Sequence, residues 1–228
     1  MKLGPYELGP SDMPENGIYY GDARELAKAI PDESVDLIFT DPVYDRIDDY
    51  RWLAETATRV LKMDRACLVW FDEPNFDAAY RAVVSNDLTF TAFMHWQRHG
   101  HIAPSRSGIT VISPCLWLEK GRSRTYKRIA NWCPSNNAGL NVSRYQWHRW
   151  GKPAIVVKKW LDAFTLADMA VVDFFAGAGP IPAVCKMLGR KYLAFEIDPE
   201  TCEMARERVR NTQPPLFVPE PQQVEMTL

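Results

Sequence analysis

Val35-Asp36-Leu37-Ile38-Phe39-Thr40-Asp41-Pro42-Val43-Tyr44 joins a short apolar, β-branched run to an abrupt stop. The run is too short for a helix and a proline closes it, so it reads as a buried strand. A carboxylate, a proline and an aromatic ring then stand together at the strand's carboxyl end, which in open α/β sheets is where ligands bind. Asp41 offers an acceptor for one N–H, the Pro42 carbonyl an acceptor for a second, and Tyr44 a flat face. That set suits a planar group carrying an NH2, such as the exocyclic amine of a purine or of cytosine. A strand ending in a plain proline turn has the same composition, so the stretch must be weighed with the rest of the chain.

Before this stretch, Gly17 to Tyr20 reads as a short strand. Ala23 to Ile30 reads as a helix capped by Asp22 and ended by Pro31. After it, Asp45 to Asp49 reads as an acidic loop, and apolar residues recur at helical spacing from Tyr50 to Lys62. Ala66 to Phe71 is a buried strand, Pro74 opens a helix to about Ser85, and Thr89 to Gln97 alternates like a strand. This β-α-β-α-β-α-β rhythm predicts an α/β fold, a parallel sheet wound with helices. The rhythm returns at Lys152-Pro153, which opens a helix carrying Ile155, Val156, Trp160 and Phe164. A strand from Ala170 to Phe175, a glycine turn, a helix from Ile181 to Leu188 closed by Gly189, and a strand from Lys191 to Phe195 follow. Pro199 opens a last helix to about Asn211. Trp70, Trp160, Cys67 and Cys185 lie on apolar faces and read as core.

At 228 residues the chain is ample for one sizeable core. The expected organisation is an N-terminal arm over 1–16, a single domain over 17–211 with an insertion at 98–150, and a loose tail over 212–228. No run reaches membrane-helix length, and the N-terminus has no apolar signal core. Five widely spaced cysteines with no CxxC fit free thiols in a reducing cytoplasm rather than a disulfide framework or a zinc site. His95, His99 and His101, with Cys115 or Cys133, match no standard zinc spacing, so no metal is expected.

The net charge of −2 conceals an asymmetry. Residues 1–94 carry 9 Lys+Arg against 18 Asp+Glu, residues 95–160 carry 12 against the single acid Glu119, and residues 161–228 carry 6 against 10. A segment this basic in an acidic protein is the footprint of a polyanionic partner. Arg98, Arg106, Arg122, Arg124, Lys127, Arg128, Arg144 and Arg149 are interleaved there with Trp132, Asn136, Tyr145 and Trp147. Arginines hold phosphates, Arg and Asn read base edges, and rings stack on exposed bases.

A second stretch sharpens the reading. Asp173-Phe174-Phe175-Ala176-Gly177-Ala178-Gly179, then a helix, a strand and Glu196, is the layout of a nucleotide-binding βαβ half. Gly177 and Gly179 let the backbone approach a ligand, and Glu196, 17 residues beyond Gly179, is placed for two ribose hydroxyls. The third glycine of the dinucleotide fingerprint is missing, which argues against NAD. A turn that grips no pyrophosphate suits a nucleoside ligand such as S-adenosylmethionine.

Taken together, Asp41-Pro42-Val43-Tyr44 and the stretch from Asp173 to Gly179 resemble the signatures of the DNA amino-methyltransferases, Asp/Ser-Pro-Pro-Tyr/Phe and Asp-Pro-Phe-x-Gly-x-Gly. The catalytic motif comes first, as in the permuted β group of that family. Gly21-Asp22, Lys152-Pro153, Leu188-Gly189-Arg190-Lys191-Tyr192 and Glu196-Ile197-Asp198-Pro199 fall in the same order. The resemblance covers about residues 17–96 and 148–210. It implies a Rossmann-like methyltransferase domain whose inserted basic region recognises the target in double-stranded DNA. It further implies methyl transfer from S-adenosylmethionine to the exocyclic nitrogen of a flipped base. Asp41 and the Pro42 carbonyl accept the amine hydrogens and Tyr44 stacks on the base. Asp41, Asp173, Phe175, Ala176, Gly177, Gly179 and Glu196 line or support the cofactor. Asp22 and Ala23 lie against its adenine and Lys152 at its methionine carboxylate. Asp at the head of the motif favours adenine N6 over cytosine N4.

Two positions depart from the family: Val43 stands for a second proline and Phe174 for the proline of the cofactor motif. Neither removes a reacting group. Cytosine-N4 modification, RNA as substrate, and a DNA-binding protein with a decayed catalytic turn remain as alternatives. The basic segment is short for a recognition domain, so a homodimer or another partner is expected to help read DNA. The expected setting is the cytoplasm of a prokaryote or a phage-infected cell, in restriction–modification, regulation or self-protection.

Overall fold

The computed structural model describes residues 17–84, 87–97, 112–133 and 152–213, together with the backbone of four short strands nearer the N-terminus and in the basic region. Two of those strands, β1 (Lys2–Leu3) and β2 (Tyr6–Glu7), pair antiparallel with each other.

The framework is an eight-stranded sheet. Its strands are β3 (Gly17–Tyr20), β4 (Val35–Thr40), β5 (Leu61–Trp70), β6 (Thr89–Gln97), β9 (Ile112–Lys120), β10 (Trp132–Cys133), β11 (Ala170–Asp173) and β12 (Lys191–Glu196). A separate antiparallel pair, β7 (Ala103–Ser105) and β8 (Gly108–Thr110), lies between β6 and β9 in the chain. The spatial order is β10-β6-β9-β5-β4-β11-β12-β3. Every pairing is parallel except the two made by β9, which runs against both β5 and β6. The expected parallel sheet is therefore mixed. Alternating apolar residues mark a strand but not its direction, which is why the orientation of β9 is not legible in the sequence.

Helices cover both faces, and the strands show it by period two. Ile38, Cys67, Val69, Val172, Leu193 and Phe195 face one core, shared with α1 (Ala23–Leu26), α2 (Ile47–Val60) and α3 (Phe76–Val83). Leu37, Phe39, Leu68, Trp70 and Val171 face the other core, with α4 (Ala154–Phe164) and α5 (Pro180–Met187). The last helix, α6 (Pro199–Asn211), packs Ala205 and Val209 with Ile18 and Ala194. All five cysteines are free and buried.

Three local elements differ from the sequence reading. The helix expected over Ala23 to Ile30 tightens to a 3₁₀ turn at Ala27–Ala29. Helix α2 begins at Ile47, so Asp48 and Asp49 are not loop residues; they stand in its first turn, where carboxylates complement the helix dipole. Strand β5 starts directly at Leu61, its early part held by Asp36. That carboxylate is buried within the apolar run of β4. It accepts from Lys62 Nζ (2.9 Å), Arg65 Nε (3.1 Å) and the Ala170 N–H (3.0 Å), tying three neighbouring strands at their amino ends.

The chain winds outward from β4 through β5 in one direction and from β11 through β12 in the other. The β4–β11 seam is thus the point where strand order reverses, and a crevice opens beyond the carboxyl ends there.

Candidate active site

Asp41 and the glycine turn, far apart in sequence, meet at this seam. Thr40, fully buried, donates its hydroxyl to Asp173 Oδ1 at 2.8 Å and accepts the Phe174 N–H at 3.1 Å. Asp173 Oδ1 also accepts the Phe175 N–H at 3.2 Å. Burial pushes the Asp173 carboxyl up to about 7, against the downward pull of the Thr40 and Phe175 hydrogen bonds.

A cleft of about 790 Å³ lies over the seam. Of the residues singled out from sequence, Asp22, Ala23, Asp41, Phe175, Gly177 and Glu196 line it. Asp173, Ala176 and Gly179 are buried beneath it, and Lys152, Pro42 and Tyr44 are not part of its wall. The two glycines have different reasons. Gly177 has φ +51, and a Cβ placed there meets no protein atom within 4 Å, so its bare face adjoins the cleft. Gly179, at φ +70, would bring a Cβ to 2.9 Å from Ala205 Cβ and 3.1 Å from Ala205 Cα; its role is close packing on α6.

Glu196 ends β12 with both oxygens oriented by backbone: Oε2 accepts the Gly177 N–H at 2.8 Å and Oε1 the Asp198 N–H at 2.9 Å. Each oxygen keeps a lone pair for a further donor. Beside it Ile197 is 62% exposed yet lines the cleft, an apolar face beside a carboxylate. This pairing suits a ribose with an adjoining base, whereas in the sequence Ile197 stands out only as part of a motif. Asp22 caps α1 by accepting the Arg24 N–H at 2.8 Å and still faces the cleft. Across the opening, Arg24 donates to Asp49 at 2.7 Å, joining the first turns of α1 and α2; that hydrogen bond holds the guanidinium above its ordinary range. Arg24, Asp45, Arg46, Asp48 and Asp49 escape a reading of the sequence as site residues, because nothing local shows that α1 and α2 face each other.

The wall carries six carboxylates (Asp22, Asp41, Asp45, Asp48, Asp49, Glu196) against two cations, Arg24 and Arg46. That field repels a polyphosphate and favours a ligand bearing positive charge.

At the turn after β4, Tyr44 donates its hydroxyl to Asp41 Oδ1 at 3.0 Å. Lys152 Nζ donates to Asp41 Oδ2 and to Tyr44 Oη, the latter at 2.9 Å. Pro42 is buried, and Val43, half-exposed, lines the cleft where the resemblance expects a second proline. The other departure, Phe174, uses an N–H that a proline lacks, since it donates to Thr40. Its ring packs edge-on to Trp52 at 5.2 Å.

The chain matches the family described as DNA methylase, of the N6/N4 type, over residues 35–207. This chain belongs to the N6/N4 DNA methylase family. Among curated relatives it is 23% identical to the type II methyltransferase M.BamHI of Bacillus amyloliquefaciens over 85% of its own length. It spans only 57% of that relative. Its fold is similar to that of PvuII DNA methyltransferase (cytosine-N4-specific), with TM-score 0.72 at 20% identity over 85% of this chain and 86% of that one. It is also similar to the M1.HpyAVI–SAM complex, with TM-score 0.70 at 18% identity over 85% of this chain and 98% of that one. These likenesses establish the Rossmann-like methyltransferase fold of the family.

The basic set divides. Strand β9 delivers the chain to the amino end of the sheet, where Lys120 pairs in register with Arg65 and the Arg122 N–H reaches Asp64 Oδ1 at 3.0 Å. Exposed Arg122 and Arg124 follow there, and Lys127 pairs at 3.5 Å with Asp162 near the C-terminal end of α4. Asp41 is at the opposite end of the strands. Arg128 is exposed on the same connecting segment. Arg98, Arg106, Arg144 and Arg149 lie outside the described residues, as do His99 and His101. Among the described residues no group of His, Cys, Asp and Glu could hold a metal, and no helix is long and apolar enough to cross a membrane.

Proposed function

We propose that this chain is an S-adenosylmethionine-dependent DNA methyltransferase acting on the exocyclic amine of a flipped base, adenine N6 in preference to cytosine N4. The observation that carries this reading is one acid-lined cleft whose wall includes Asp41, the glycine turn and Glu196. M1.HpyAVI, similar in fold, is described with SAM. The preference for adenine rests on Asp41 at the head of the catalytic turn.

Glu196 would hold the ribose hydroxyls, Ile197 and Ala23 the adenine, and Gly177 and Phe175 the methionine part. S-adenosylmethionine, when bound, would supply a sulfonium methyl: an N–C bond forms as the S–C bond breaks, the neutral thioether leaves, and the surplus amine proton passes to solvent. Asp41 and the Pro42 carbonyl accept the two amine hydrogens, which draws the nitrogen lone pair out of conjugation and stabilises the charge that develops on it. Acceptance by Asp41 uses a carboxylate lone pair left open beside the Tyr44 hydroxyl, which keeps its own bond to Oδ1. The Tyr44 ring is then available to stack on the base.

For DNA contact we assign Arg98, Arg106, Arg144 and Arg149. Their segments leave from Gln97 and Cys133 and return at Ile112 and Lys152. Gln97 and Cys133 end their strands at the same end of the sheet as Asp41, and Lys152 is bonded to Asp41 there.

The test is methyl transfer from labelled S-adenosylmethionine to unmethylated double-stranded DNA, followed by nucleoside analysis. N6-methyladenine is the expected product, and Asp41→Ala is expected to abolish it while DNA binding persists. N4-methylcytosine would overturn the base assignment, and label confined to RNA would overturn the substrate.

A further inference from the structure

Lys152 immediately precedes Pro153, the cap of α4, and its side chain is 5% exposed. Its ammonium touches three things. It donates to Asp41 Oδ2, it donates to Tyr44 Oη at 2.9 Å, and it lies 4.8 Å over the ring of Trp70. Tyr44 closes a triangle by donating to Asp41 Oδ1. Trp70 is itself fully buried and stacked on Trp160 at 4.8 Å between ring centres. An ammonium wedged between a carboxylate and an aromatic face gives up both an ion pair and a cation–π interaction if it swings away. The cleft wall does not include Lys152; the cations on it are Arg24 and Arg46.

We infer that Lys152 is a positioning residue for Asp41 and Tyr44, and not a ligand of the cofactor's carboxylate, an inference that rests on the methyl-transfer reading above. Without Lys152, the Asp41 side chain is a partly exposed carboxylate free to change rotamer. With Oδ2 held by Lys152 and Oδ1 by Tyr44, the carboxylate plane is fixed, and so are the directions of the lone pairs left on each oxygen. A fixed acceptor needs no reorganisation as the amine becomes positive, which is where such electrostatic placement acts on the rate. The ammonium has no lone pair and takes no proton from the amine. Its effect passes through Asp41 and Tyr44.

The experiment measures two quantities on the full chain: the S-adenosylmethionine Kd, and the single-turnover methyl-transfer rate on double-stranded DNA at saturating cofactor. For Lys152→Met the rate is expected to fall on the order of 100-fold while Kd stays within about twofold. Lys152→Arg, which keeps the charge but not the shape, is expected to recover part of the loss. A Kd weakened about tenfold or more with the saturating rate intact would make Lys152 a cofactor ligand and overturn the inference. So would a rate and a Kd that both match the parent. If the methionine variant does not fold, Lys152→Gln, which keeps a donor and loses the charge, is read in the same way. A parent chain that transfers no methyl group overturns the functional reading and this inference with it; a parent that transfers normally beside an unaffected variant overturns this inference alone.

Discussion

Thr40 Oγ1 and Asp173 Oδ1, 2.8 Å apart, join two strands whose residues are 133 positions apart in the chain. The same hydroxyl accepts the Phe174 N–H, so one buried side chain sets both the turn that begins at Asp41 and the turn that leads to Gly177. The turn at Asp41 and the glycine turn are held in one frame by this pair.

Thr40→Val keeps shape and removes both bonds. Buried partners left unsatisfied should lower unfolding stability by roughly 2 to 4 kcal/mol, read from denaturant unfolding. Methyl transfer should fall as well, because Asp41 follows Thr40 directly. A valine variant as stable as its parent would show that the bond holds nothing together.

Asp173 should make stability depend on pH. Its folded carboxyl titrates at about 7, above its ordinary value, because it is buried. From the ordinary carboxylate range up to about pH 7 the folded state holds a proton that the unfolded state has released. Stability is therefore fully present in acid, falls as pH rises through that window, and is flat above it. Asp173→Asn keeps the acceptor for Thr40 and Phe175 and should remove that slope. Parallel unfolding curves for the two proteins across this range would contradict the assignment.

The two glycines should fail in different assays. Gly177→Ala incurs only left-handed backbone strain of about 1 kcal/mol but places a methyl at the cleft wall. The expected result is a severalfold rise in KM for S-adenosylmethionine with thermal stability nearly kept. Gly179→Ala adds a clash with Ala205 backbone and should cost roughly 2 to 3 kcal/mol of stability. Identical defects in both variants would refute the division of roles.

Arg122 and Arg124 lie at the far end of the sheet from Asp41. Replacing both with alanine should leave the salt dependence of DNA binding unchanged. Replacing Arg144 and Arg149 should reduce its log–log slope by about 2, close to one for each phosphate that is no longer neutralised. The reverse pattern would move the DNA-facing surface to the amino ends of the strands.

Much of the site is legible in one dimension. The strand ending at Asp41, the glycine turn and Glu196 follow from run length, proline stops and glycine placement, which are properties of local backbone. Asp22 as a helix cap is equally local, and the structure adds that it faces the cleft. Arg24, Arg46 and Asp49 are hidden in the sequence because they join the wall only once α1 and α2 pack on the same face of the sheet.

The sequence by itself determined most of the helices and strands that flank the two turns, and their order, because short-range sterics and apolar periodicity act within a few residues. Tertiary structure alone decided the direction of β9, which carries Arg122 and Arg124 away from the site. It also decided the meeting of Thr40 with Asp173, and the pairing of Lys152 with Asp41 across 111 positions. The physical reason is common to all three. A side chain's partner across the sheet depends on strand order and direction, and these follow from burying both faces of the sheet at once rather than from any local preference.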